Sequence, residues 1–204
     1  MSHIKTMMNE CMQNGVPVSQ RVINWNAARY EQEYSYQLSV KLLLEEMEEL
    51  YEAVTVVDKL DAIGDICFVA IGVLWKLGFT REQIFDIMYV RDLRKVTMLE
   101  AHDWQIELQS YSFDIINHHL EGAWPGFNLA VYSLFITALG ALRGLGMQHY
   151  FYAILYAICD SNDTKEIKGK VAANIKANVN KGDGYVGPEA KLMELYANHV
   201  KGAH

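Results

Sequence analysis

Val40-Lys-Leu-Leu-Leu-Glu-Glu-Met-Glu-Glu-Leu-Tyr-Glu-Ala-Val54, followed by Asp58-Lys-Leu-Asp-Ala-Ile-Gly-Asp-Ile-Cys-Phe-Val-Ala-Ile-Gly-Val-Leu-Trp75, decides how this chain folds. On a helix, residues three and four apart share a face. That spacing sorts the first segment into three stripes. Lys41, Glu45, Glu48 and Glu52 form a wholly polar one, suited to solvent. Leu43, Met47, Leu50 and Val54 form an apolar one, suited to a core. Between them run Leu42, Glu46, Glu49 and Ala53, where two carboxylates one turn apart share a stripe with small and apolar neighbours. Half-buried carboxylates repel each other and lose hydration unless a cation sits between them.

The second segment is apolar nearly all round after its start, the mark of a buried helix. Asp61 and Asp65 are four apart and share a face that Phe68, Gly72 and Trp75 continue. Negative charge at a helix N-terminus is a sufficient alternative reading of Asp58 or Asp61; Asp65 lies beyond the first turn and needs another reason. Two helices joined by a short loop run antiparallel, which lets the two carboxylate faces meet. Four hard oxygen donors suit Mg2+ or Mn2+ and not zinc. No histidine stands at ligand spacing from these acids, against a di-iron Glu-x-x-His site.

Working outward, helical periodicity dominates and no stretch alternates as a strand would. Helices are predicted at about 2–14, 20–33, 36–56, 58–77, 80–97, 104–121, 127–145, 147–160 and 165–178, with a short last one near 188–200. Gly78 and Gly146 read as C-terminal caps, and Thr80 as an N-cap with Gln83 as its capping-box partner. The fold class is therefore all-α, a helical bundle over residues 1–204. A weak internal repeat relates Gly72–Gly78 to Gly140–Gly146. It places Asp114, Asn117, Leu129 and Ser133 opposite Glu46, Glu49, Asp61 and Asp65. If the repeat is real and not a chance likeness of two apolar helices, the half of about 1–100 does the chemistry and is the catalytic one, and the half of about 101–165 is degenerate and completes the pocket and core. From Lys168 to Pro188 the chain is rich in Lys, Asn and Gly and reads as a mobile strap.

A net charge of −7 argues against a sequence-independent grip on nucleic acid. Cys11, Cys67 and Cys159 are odd in number and far apart, as expected of reduced thiols. The N-terminus lacks the apolar run of a signal peptide, and Ile63–Leu74 is too short to span a bilayer. A cytoplasmic location with no membrane partner is the expectation.

Leu44-Glu-Glu-Met-Glu-Glu-Leu-Tyr-Glu-Ala53 with Asp61-Ala-Ile-Gly-Asp-Ile-Cys-Phe68 resembles the signature of the MazG-like, all-α nucleoside triphosphate pyrophosphohydrolase superfamily. That group includes MazG, dimeric dUTP pyrophosphatases and phosphoribosyl-ATP pyrophosphohydrolase. Asn14-Gly-Val-Pro-Val18 and Ser161-Asn-Asp-Thr-Lys165 resemble further segments of its phage-type members. In one respect the chain departs: the family's Glu three residues before the final Asp is Ala62 here, with Asp61 one position earlier.

The resemblance implies hydrolysis of a (d)NTP to monophosphate and pyrophosphate with Mg2+ as cofactor. Glu46, Glu49, Asp61 and Asp65 would ligate the metal, and Glu46 or Glu45 would act as base. Asn162 and Lys165 would hold the nucleotide. Lys95, which ends a basic helix segment, is a further phosphate contact, and Trp25 and Asn26 are candidates for the base. A homodimer is expected from the superfamily. The rival is a non-catalytic helical regulatory or assembly module whose acids bind a structural cation.

Overall fold

The computed structural model describes residues 12–13, 16–30, 35–84, 131, 135, 137–138, 140–166, 169–172, 175–177 and 181–202. Over these the protein is mostly helical, the all-α class read from its periodicity. Helix α1 covers Val18–Arg29, α2 Tyr36–Glu52, α3 Val56–Lys76, α4 Phe151–Asp163 and α5 Glu189–Gly202. A helical turn stands at 81–84, helical residues lie within 131–144, and Gln148–Tyr150 form a 3-10 turn before α4.

Helix α3 is the axis on which α1, α2, α4 and α5 all pack. Leu60, Ile63, Ile66, Cys67, Ala70, Ile71 and Leu74 are wholly excluded from solvent, so nearly its whole circumference is core. Each such aliphatic side chain contributes roughly 1.5–3 kcal/mol by leaving water, and this burial is what fixes α3 at the centre. Gly64 lets α4 come close: a Cβ there would sit 2.7 Å from Ile158 Cγ1.

Local signals set the ends of the helices. Thr55 Oγ1 accepts from the Asp58 N–H at 3.1 Å and Asp58 Oδ2 accepts from the Thr55 N–H at 2.9 Å, a reciprocal capping box. At the other end of α3, Gly78 has φ +90°. Its N–H donates to Trp75 O at 3.0 Å while Phe79 N–H donates to Leu74 O at 3.1 Å, the Schellman pattern. Gly146, φ +71°, repeats it, with N–H bonds from Gly146 to Arg143 O and from Met147 to Leu142 O. Thr80 and Gln83 form the expected box at 2.8 and 3.1 Å.

Three expectations are corrected. Met12–Gln13 is not the end of a helix but a strand, β1, antiparallel to β2 at Val16–Pro17, with Met12 opposite Pro17. Asn14-Gly15 between them is a dipeptide favoured in two-residue hairpins, a signal that the helical reading passed over. The helix expected over 165–178 is absent from its described residues: Val171 N–H donates to Arg29 O at 3.0 Å, Val171 bridges Tyr30 in parallel, and Ala177 is buried against Tyr30 and Leu38. Gly169, φ +94°, turns the chain away from helix, and these tertiary contacts override the local propensity. Val54, assigned to the core stripe, is 85% exposed because α2 ends at Glu52 and the stripe ends with it. The helix expected at 104–121, most of those at 80–97 and 127–145, and the positions Asp114, Asn117, Leu129 and Ser133 lie outside the described residues.

Candidate functional site

The connection Ala53–Thr55 turns the chain back on itself, and α2 and α3 run antiparallel. A step of one turn along α2, from Glu46 to Glu49, is therefore matched by a step back along α3, from Asp65 to Asp61. All four carboxylates line one cavity of about 620 Å³. One oxygen each from Glu46, Glu49 and Asp65 lies within 4.8 Å of the other two. Glu49 is the exposed member, at the mouth; Glu46 and Asp65 are half-buried.

The electrostatics of this cluster are those of a site short of positive charge. Burial, then the neighbouring Glu49, pushes Glu46 up to about 7. Asp61 is pushed up to about 6 by burial and by the charges of Glu189 and Glu49. Asp65 is held well above the carboxylate range by burial and by Glu46 and Asp61. Asp61 Oδ1 is buried and has no hydrogen-bond partner among the described residues. A donor set made only of carboxylate oxygens, with an orphaned buried oxygen beside it, fits a hard divalent cation such as Mg2+ or Mn2+.

Cationic and aromatic groups complete the cavity. Asn162 Oδ1 accepts from Lys165 Nζ at 2.7 Å, so the Asn and Lys of the Ser161–Lys165 segment act as a unit. The Trp25 indole N–H donates to Asn162 O at 3.0 Å, and its ring meets Phe68 edge-on at 5.2 Å. Arg29 lies over the Trp25 ring at 3.9 Å and reaches Lys165 O at 3.3 Å. Trp25 is thus a brace holding the Asn162–Lys165 end of α4 against α1. Asn26 is buried, and its Nδ2 donates to Val22 O at 2.9 Å.

The cavity therefore brings together Glu46, Glu49, Asp61, Asp65, Trp25, Asn26, Asn162 and Lys165 from the sequence reading. Glu45 is not among its lining residues. It is ion-paired with Lys176 at 2.5 Å and lies 3.9 Å from Lys41. Lys95 lies outside the described residues. The sequence reading missed Lys76 and Glu189 and named Lys176, Lys181 and Tyr185 only as part of the strap; all five also line the cavity. Lys76 had a signal: it stands four residues after Gly72, on the stripe that begins at Asp61 and Asp65. The others come from the strap after α4 and from the start of α5, where no periodicity points toward the acids.

Compared with protein-family models, with curated proteins and with solved structures, the chain matches none.

Proposed function

We propose that the protein is a Mg2+-dependent nucleoside triphosphate pyrophosphohydrolase that converts a (d)NTP and water to the monophosphate and pyrophosphate. The observation that carries this reading is the convergence of Glu46, Glu49 and Asp65 within 4.8 Å, in a cavity that also holds Lys165 and Lys181. A triphosphate needs both: a divalent ion held by carboxylates, and cations facing the charge that leaves.

Glu46, Glu49 and Asp65 would hold Mg2+, with Asp61 as fourth ligand or as a partner beside it. The ion, when bound, neutralises the triphosphate and makes a water more acidic. Glu46, which lines the cavity among the other carboxylates, takes the proton of the attacking water. Glu45 is tied to Lys176 and does not line the cavity, so it is set aside as the base. Lys165, aimed by Asn162, and Lys181 stabilise the negative charge gained by the pyrophosphate as the bridging P–O bond breaks. The homodimer expected from the superfamily is part of the same proposal. Light scattering at the mass of one 23.3 kDa chain at micromolar concentration rejects it.

Pyrophosphate release from a panel of dNTPs with Mg2+ tests the reading, and release from at least one is expected. No release from any, in protein that still binds Mg2+, replaces it with the rival reading of a structural cation in a non-catalytic helical module.

A further inference from the structure

The cavity has a second end, remote from the acids. Along one stripe of α3 its lining runs Asp61, Asp65, Phe68, Gly72, Lys76. Eleven residues separate Asp65 from Lys76, about 16 Å of helix, comparable with the span of a nucleotide from phosphates to the far edge of its base. Helix α1 runs alongside in step: Trp25 meets Phe68, Asn26 meets Gly72, and Tyr30 meets Lys76.

Lys76 Nζ lies 3.7 Å from the centroid of the Tyr30 ring. Among the described residues it has no carboxylate partner, in contrast to Arg21, Lys176 and Lys191, which are all ion-paired. Burial pulls Lys76 down to about 8. Whether charged or neutral, its nitrogen offers N–H donors toward the cavity. Beside it, the Asn26 amide is oriented without ambiguity: Val22 O can only accept, so Nδ2 donates to it and Oδ1 is left as an acceptor. Gly72 leaves the room, since a Cβ there would lie 2.9 Å from that Oδ1.

We propose that Lys76 reads the base, so that the cavity takes nucleotides whose base presents a keto oxygen at its far edge, as uracil, thymine and guanine do. It rejects those presenting an exocyclic amine there, as cytosine and adenine do. A keto oxygen gives the Lys76 nitrogen the acceptor that the described residues do not. An amine sets donor against donor and leaves a half-buried lysine unpartnered, which is where a polar site discriminates most strongly. Asn26 Oδ1 serves either class and does not discriminate.

This inference rests on the nucleotide reading of the acidic end, so its test separates binding from turnover. Calorimetry with Mg2+ measures the affinity of the α,β-imido analogues of dUTP and dCTP, which cannot be cleaved at that bond, and hydrolysis of the natural dNTPs is followed in parallel. The wild-type protein is expected to bind the dUTP analogue about tenfold or more tightly than the dCTP analogue, the size of one charge-assisted hydrogen bond. Lys76→Met keeps the apolar stem and should erase that ratio by weakening the dUTP analogue alone. Lys76→Gln, which can donate or accept, should narrow the ratio by improving the dCTP analogue. A preference erased by Lys76→Met and narrowed by Lys76→Gln, without hydrolysis of any dNTP, keeps the base reading and ends the enzymatic one. Hydrolysis with equal affinities, or a preference that survives Lys76→Met in folded protein, overturns the inference and leaves the enzyme. Binding of neither analogue overturns both.

Discussion

Gly72 lies so close beneath Asn26 that a Cβ on it would stand 2.8 Å from Asn26 Nδ2 and 2.9 Å from Oδ1. The Asn26 amide cannot swing away without breaking its bond to Val22 O. Helix α3 therefore carries a glycine mid-helix, at about 1 kcal/mol of lost propensity relative to alanine, because only hydrogen fits beside this amide.

Gly72→Ala should destabilise the protein by about 1–2 kcal/mol, since overpacking of roughly 1–3 kcal/mol exceeds the propensity gain. In an Asn26→Ala background the clash partner is gone, and the same Gly72→Ala change should become neutral or stabilising. Denaturant melts of the four proteins give the coupling. Equal effects of Gly72→Ala in both backgrounds would show that the contact is slack.

The proton affinities of the acidic cluster set the pH dependence of the metal-free protein. Glu46 and Asp61 are raised in the fold to about 7 and about 6, from ordinary values of 4.5 and 3.8, and Asp65 is raised as well. Below about pH 4 both folded and unfolded chains hold these protons. As pH rises through 4 to 7, the unfolded chain releases protons that the fold retains, so stability is lost across that window. Asp160 works the other way: hydrogen bonds from Lys191 and Arg21 outweigh its burial and hold its carboxyl low, so its contribution disappears as pH falls. The melting temperature without metal should therefore peak near pH 4 and fall as pH rises through 7. Mg2+ should raise it more at pH 8 than at pH 5, because at low pH the ion must displace protons. A pH profile that is flat from 5 to 8 without metal would contradict the burial of these acids.

The strap after α4 places Lys176, Lys181 and Tyr185 beside the cavity, where closure over bound phosphates is expected of it. Lys176 pairs with Glu45, Lys181 stacks on Tyr185, and Ser161 Oγ donates to Tyr185 Oη at 3.3 Å. With a non-hydrolysable nucleotide and Mg2+, tryptic cleavage at Lys181 should slow severalfold, and cleavage at Lys176 should slow with it. Equal cleavage rates with and without nucleotide at both positions would reject closure.

What the sequence made legible follows the range of the interactions involved. The caps at Gly78 and Gly146 and the Thr80–Gln83 box depend on neighbours within a turn, and all three stand as read. The acidic faces depend on a period of 3.6 and one short loop, so the sequence alone places Glu46, Glu49, Asp61 and Asp65 together, and all four line the cavity. The segment over 165–178 has helical composition, yet it is extended where Val171 meets Tyr30, a contact across 141 positions that no local pattern carries. Glu189 escaped for the same reason: its charge acts on Asp61 only because α5 packs on α3. Lys76 is within reach of periodicity, but the stripe through Asp61, Asp65, Phe68 and Gly72 continues equally well to Trp75, and one residue along a helix is a turn of about 100°.

Removing single carboxylates separates a metal site from a set of structural acids. Glu49→Gln and Asp65→Asn keep side-chain shape and remove one negative charge each. In a metal site, Mg2+-dependent hydrolysis should fall by two or more orders of magnitude, because the ion loses a ligand and the triphosphate its neutralising charge. At pH 8 the metal-free melting temperature should hold or rise, because repulsion in the cluster around Glu46 and Asp65 is relieved. Glu48 is exposed on the solvent stripe and does not line the cavity, so Glu48→Gln is the control and should change neither quantity appreciably. The two readouts move in opposite directions only if the acids repel one another in the free protein and share an ion in the working one. Full hydrolysis in both variants removes the metal assignment. Loss of metal-free stability in both would make these acids partners of a cation within the fold, and the site would then be structural.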